Sequence, residues 1–288
     1  MNLHLSRKNI AVCFSAMLAA LPLFAKADSL SNMVSPVTDP VNFEDPRINT
    51  ELRPIYVYHK IGNDFVTTGG SAQIYALQAR YAVNDDLAII ATKDGIVNFQ
   101  PDSALNDGSG VANVAGGVKY AFYNCAEQGL IATGGLTFEA PVGEEEVLQG
   151  KGKGFLRPFL SAGAALDGVN LIGYTGMRIA MSEHDSTVWD FNVHADVPVG
   201  DFYPGLELNL QQVMDAGDRL PIPDEGADFF GLGSSQSEDR TVLVAGVVGR
   251  YRVNKSVDLG LGYQFPLTTG KGSRIFDWRI TTDVIVSF

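Results

Sequence analysis

The chain has 288 residues, 33 acidic against 21 basic, for a formal charge of −12. That balance disfavours nucleic acid and acidic partners, and the two cysteines, Cys13 and Cys125, exclude a disulfide framework. Past the N-terminal segment, no stretch reaches the roughly 18 consecutive apolar residues of a membrane helix.

Arg7 and Lys8 precede an apolar run from Ile10 to Phe24, and Ala25-Lys26-Ala27 supplies small residues for cleavage. Residues 1–27 therefore read as a secretory signal peptide, cut near Ala27. Cys13 sits early in the apolar run, so no lipid anchor is expected there. Cleavage removes three basic residues and no acidic one, which leaves a charge of about −15 and Cys125 as the one thiol. Residues 28–52, "DSLSNMVSPVTDPVNFEDPRINTEL", are rich in Pro, Asp, Asn and Ser. They read as a poorly structured leader on the periplasmic side.

From residue 53 to residue 288 the chain is a series of about twelve extended segments separated by turn signals. They lie near residues 54–61, 71–83, 87–97, 111–122, 130–141 and 155–166, then 171–181, 188–199, 203–213, 241–251, 257–267 and 275–288. Several alternate cleanly. Val257, Leu259, Leu261, Tyr263 and Phe265 oppose Asp258, Gly260, Gly262 and Gln264, while Trp189, Phe191 and Val193 oppose Asp190, Asn192 and His194. In the last segment Phe276, Trp278, Ile280, Val284, Val286 and Phe288 share one face, and Asp277, Arg279, Thr281 and Asp283 the other. Alternation over about twice the usual strand length, with aromatics flanking the apolar face, fits strands that face lipid.

The connections sort by parity. "NDD", "YNCAEQG", "DGVN", "GD" and "RVNKS" are short and occupy the even positions, whereas every long link, up to "MDAGDRLPIPDEGADFFGLGSSQSEDR", falls at an odd one. Tight turns on one side and longer loops on the other, with both termini at the turn side, define an all-β fold. The expected architecture is a closed antiparallel transmembrane β-barrel in the outer membrane of a Gram-negative bacterium, with about twelve strands, short periplasmic turns and extracellular loops. Closure pairs the last strand with the first, so no edge is left open. Terminal Phe288 then reads as the signal recognised by the barrel-assembly machinery.

Parity assigns Arg80, Lys119, Glu139, Arg157, Arg178, Asp190, His194, Asp196, Glu207, Arg250, Asp258, Asp277, Arg279 and Asp283 to the lumen. Two readings stand: the charges pair across a narrow barrel and stiffen it, or they line a conduit that orients a solute. Phe229 and Phe230, in the longest loop, either fold inward as a gate or pack on the rim. Glu144, Glu145 and Glu146 read as a solvated loop, or as a site for cations bridging lipopolysaccharide. His184-Asp185-Ser186 has the residue types of a hydrolase, but nothing orients a base. Four histidines without ligand spacing and glycines confined to strands and turns give no metal and no cofactor.

The stretch Gly116-Gly117-Val118-Lys119-Tyr120, followed by Gly134-Gly135-Leu136-Thr137-Phe138, Pro141-Val142-Gly143 and Arg157-Pro158-Phe159, resembles the outer-membrane family linked to the meta-pathway of phenol degradation. That resemblance covers about half of the barrel, and Val142 stands where the family has Thr. It implies passive uptake of small, hydrophobic or aromatic solutes and no catalytic residues. The expectation is thus a channel among outer-membrane lipid and lipopolysaccharide. The alternatives are a structural or adhesive barrel with a plugged lumen, and a lipid hydrolase.

Overall fold

The computed structural model describes residues 29–268 and 275–288; the signal-peptide reading, with its cleavage site, falls outside them. Alternating sequence becomes one antiparallel sheet closed on itself: a twelve-stranded barrel, two of whose strands are each broken in two. In chain order these are β1 (Glu51–Ile61), β2 (Gly70–Ala82), β3 (Leu87–Lys93 and Ile96–Pro101) and β4 (Gly108–Val111 and Val114–Cys125). Next come β5 (Leu130–Ala140), β6 (Phe155–Leu166), β7 (Val169–Ala180) and β8 (Thr187–Asp196). The last four are β9 (Phe202–Asp215), β10 (Thr241–Asn254), β11 (Val257–Pro266) and β12 (Phe276–Ser287). Each pairs with its neighbours in sequence, and β12 closes on β1 from Glu51↔Ser287 to Ile61↔Phe276. Among the described residues Gly108–Val111 has a strand on one side alone, its other side met by the loop where the Glu144 amide donates to the Val111 carbonyl (3.0 Å); the rest of the wall closes strand to strand, the condition for a sheet to stand in lipid.

Residues 83–86, 126–129, 167–168, 197–201 and 255–256 make the turns at one end, while 62–69, 102–107, 141–154, 181–186 and 216–240 make the loops at the other. The third segment runs on through Asn98 to Pro101, further than its composition indicated.

Burial is inverted relative to a soluble sandwich. Outward Leu206 is 63% exposed and Leu261 60%, whereas inward Arg250, Arg279 and Lys119 are at most 1% exposed. Apolar side chains face out and charged ones face in, as a membrane barrel requires. Aromatics gather on the outer surface as well, with Trp278 stacked between Tyr58 and Tyr263 at centroid distances of 5.3 and 6.1 Å.

The leader is more ordered than its composition indicated, and it enters the barrel, a point the sequence left open: every residue from Met33 to Asn42 and on to Pro46 is buried. It rises from the turn end, reverses at Asp39, whose φ is +51°, with the Asn42 amide donating to the Asp39 carbonyl at 3.0 Å, and descends again. Asp and Asn adopt that left-handed conformation more readily than other side chains. Three prolines, Pro36, Pro40 and Pro46, carry no N–H, which lowers the number of donors this irregular segment must satisfy inside a barrel.

Candidate functional site

Lumen side chains take up the leader's backbone almost residue by residue. Arg250 donates to the carbonyl of Ser35 (2.9 Å), Arg53 to Pro36 (2.7 Å), Gln78 to Pro40 (2.8 Å), Asn192 to Asn42 (2.8 Å) and Ser161 to Glu44 (2.7 Å). Glu207 accepts from the amides of Val37 (2.9 Å) and Thr38 (2.8 Å), and from the Thr38 hydroxyl. Close approach needs bare backbone opposite Thr38: a Cβ on Gly246 or Gly262 would stand 3.1 or 3.0 Å from its Cγ2. Met33 and Phe43 complete an apolar cluster with Ile90, Phe159, Ile172 and Tyr174.

Four charged clusters surround this segment. Glu44 of the leader receives Nε and Nη2 of Arg80 (2.8 and 2.6 Å) and Nζ of Lys119 (2.7 Å), with Glu51 3.2 Å from Arg80 Nη1. Arg53 and Arg250 share Asp283. Lys93 and Arg157 share Glu139, at 2.6 and 3.3 Å. His194 lies between Asp196 (2.9 Å) and Glu207 (2.7 Å).

The leader's own carboxyls respond in opposite ways. Burial alone raises Glu44, but the charges of Arg80 and Lys119 and the hydrogen bonds they donate outweigh it and bring the carboxyl down to about 2. Asp45 is likewise held below its usual range, burial being overcome by Arg47, which bonds it at 2.6 Å. Asp39 is pushed well above its usual range, first by burial and then by the charges of Asp228 and Asp190.

The loop from 216 to 240 folds into the other end. Phe229 and Phe230 are 1% and 2% exposed, in an apolar cluster with Ile61, Phe65, Val147 and Phe276. Glu225 shapes the loop: its carboxylate accepts from the amides of Gly226 (2.9 Å), Leu232 (2.6 Å) and Ser234 (3.1 Å) and from the Ser186 hydroxyl (2.6 Å). Wall cations hold it down. Arg279 donates to Asp228 at 2.7 Å and Arg178 to the Phe230 carbonyl at 3.1 Å. Between this loop and the leader's apex lies a cavity of about 40 Å³, bordered by Asp39, Asn42, Asp190, Ala227, Asp228 and Gln264. It holds a few water molecules at most.

Of the residues assigned to the lumen by parity, Arg80, Lys119, Glu139, Arg157, Arg178, Asp190, His194, Asp196, Glu207, Arg250, Arg279 and Asp283 are buried side chains on the inner wall. Asp258 sits half-buried at the turn end, 3.4 Å from Arg252. Asp277 is a correction. The pairing of β1 with β12 slips between Lys60 and Ile61, so Phe276 takes the inward position and Asp277 lies half-buried at the loop end beside Gly62. A bulge resets parity there. His184 and Ser186 do not face one another: His184 bonds Asp218 at 2.5 Å at the surface, while Ser186 is buried against Glu225.

Sequence reasoning missed Glu51, Arg53, His59 and Lys93. All of the first three share the inward parity of β1; Glu51 and Arg53 were hidden by starting that strand near residue 54, whereas His59 lay within the expected strand and was passed over. Lys93 follows another register slip, between Ala91 and Lys93, and so escapes a period of two.

A closed twelve-stranded antiparallel barrel with an apolar exterior and a charged interior belongs to the outer-membrane class of β-barrel. The chain is similar in structure to an outer membrane channel from Pseudomonas putida F1, with a TM-score of 0.55 at 14% identity, covering 89% of this chain and 100% of that one. A KdgM porin gives a weaker likeness, with a TM-score of 0.46 at 13% identity over 82% of this chain and 99% of that one. No family model and no curated protein matches the sequence.

Proposed function

We propose that the protein is an outer-membrane channel for passive entry of small solutes, held shut by its own leader. One observation carries this reading: the wall around the leader is polar and charged, and both ends of the inserted segment leave by the same mouth. At its start Arg252 donates to the carbonyls of Ser31 (3.0 Å) and Met33 (3.2 Å). At its finish Thr50 meets Ala82 and Phe288 at the turn end. A loop entering and leaving by one mouth is withdrawn without unthreading, and the exposed wall then meets water rather than leaving apolar surface bare. In this reading the turn end faces the periplasm, the loop end faces lipopolysaccharide, and Phe288 is handed to the assembly machinery. A hydrophobic or aromatic solute is favoured only by the family resemblance of Gly116–Tyr120 and Gly134–Phe138.

The filled lumen favours a second reading, a structural or adhesive barrel that never opens. A lock separates the two. In a Cys125→Ser background, Thr38→Cys with Gly246→Cys sets one thiol on each side of a close contact, since a Cβ at position 246 would stand 3.1 Å from Thr38 Cγ2, one bond beyond its Cβ, and a disulfide needs Cβ atoms about 3.5–4.5 Å apart. Planar-bilayer recordings are expected to show no openings in the oxidised protein and openings after reduction. Silence in both states, with the fold intact, refutes the channel and leaves the structural barrel. Lipid hydrolysis has no support at His184 and Ser186, whose side chains engage different partners.

A further inference from the structure

The lumen's charges are divided unevenly between its fixed and its removable parts. Among the described residues, all eight buried lysines and arginines are on strands, whereas seven of thirteen buried carboxylates, including Asp39, Glu44, Asp45, Glu225 and Asp228, are on the leader or the loops. The strands alone carry eight cations against six carboxylates; withdrawing the leader takes away Asp39, Glu44 and Asp45 and, of the cations, Arg47, which is paired with Asp45, while the four loop carboxylates stay at the loop end. The imbalance concentrates at one place. Lys119 bonds nothing but the leader, through the Glu44 carboxylate and the Asp45 carbonyl (2.8 Å), and Arg80 meets Glu44 with two parallel donors. A guanidinium fork beside an ammonium is the donor set that receives a free carboxylate.

We infer that the open lumen selects anions, and that Arg80 and Lys119 form a subsite for the carboxylate of a permeating solute, with Glu44 as its resident occupant in the closed state. This inference rests on the channel reading above. The acidic charge of the whole chain does not oppose it, because exposed carboxylates on loops and turns are screened within about 8–10 Å, while the wall charges meet the solute directly.

The test uses the full chain carrying Glu44→Gln, recorded in planar bilayers under a KCl gradient. Openings are expected to reverse on the chloride side. Sodium benzoate is expected to block the chloride current, and Lys119→Gln in the same background to move the reversal potential toward the potassium side and relieve the block. Lys119→Arg is expected to keep both properties, which separates loss of charge from misfolding. The sparser openings of the wild-type chain must reverse on the same side. Potassium-selective openings, or a reversal potential and block unmoved by Lys119→Gln, overturn the inference while leaving the channel standing. No openings in any variant overturn the channel reading and this inference with it.

Discussion

Two carboxyls of the leader, five positions apart, are expected to respond oppositely when neutralised. Glu44→Gln removes a carboxylate bound by Arg80 and Lys119, all three side chains being almost wholly buried. Breaking a buried ion pair from one side costs about 3–5 kcal/mol, and the lower figure applies because Glu51 and the Asp45 carbonyl stay with the two cations. The acidity leads to the same size. A carboxyl at about 2 in the closed state, against 4.5 when free, corresponds to about 3 kcal/mol at neutral pH. That is a shift of roughly a hundredfold toward the withdrawn leader. Asp39→Asn should act the other way, since it removes a charge crowded by Asp190 and Asp228, and Asn tolerates the positive φ there. The signs follow from linkage. Glu44, lowered when inserted, favours closure fully above its free value of 4.5, and that contribution is lost as pH falls from 4.5 toward 2. Asp39, raised when inserted, opposes closure at high pH and stops doing so as pH falls through its raised value. Open probability in planar bilayers should therefore pass through a minimum on mild acidification and climb below about pH 4.5. Asp39→Asn should flatten the first limb, and Glu44→Gln most of the second. A monotonic profile, or two variants that shift open probability in the same direction at pH 7, would refute this account of what holds the leader.

At the other end, Phe229→Ala or Phe230→Ala empties a site in the cluster with Ile61, Phe65 and Phe276, and each should loosen the inward loop by about 3–5 kcal/mol. Faster proteolysis between residues 216 and 240, with noisier single-channel currents, is the expected readout. Asp283→Asn leaves Arg53 and Arg250 beside one another without their carboxylate at the seam where β12 closes on β1. A loss of about 3 kcal/mol should lower the temperature at which the folded band converts to the unfolded one on gel electrophoresis, and an unchanged temperature would show that the seam is held by its backbone ladder alone.

The barrel was legible because a membrane strand has a strict period of two, and because loop length sorts by side. Both are local properties that a single chain displays. Where the period breaks, the reading broke with it: the bulge before Trp278 turned Phe276 inward and left Asp277 half-buried at the loop end, and the slip at Lys93 concealed one half of the Lys93–Glu139 pair. The leader shows a different kind of failure. Between Met33 and Thr50 its Pro, Asp, Asn and Ser content goes with the absence of helix and strand, yet its order comes from elsewhere. Gln78, Arg157, Ser161, Asn192 and Arg250 lie far along the chain and supply the hydrogen bonds its backbone lacks. No local signal records such a debt to distant side chains.

That debt also bears on why the wall is charged at all. A lumen meant only to be filled is packed at least cost with apolar side chains, since replacing buried ion pairs by well-packed hydrophobes is often neutral or stabilising. Here the apolar clusters centre on Met33 and Phe43 on one side and on Phe229 and Phe230 on the other, reaching inward along the wall, and among them the side chains that meet the leader's backbone are Arg, Gln, Asn, Ser and Glu. These side chains satisfy the irregular peptide and, in the channel reading, would take up water once it withdrew. Two states of similar free energy need a wall that both occupants can wet. A lumen filled by apolar side chains has no such requirement; a polar wall is matched to a polar occupant, whether that occupant is the leader or water.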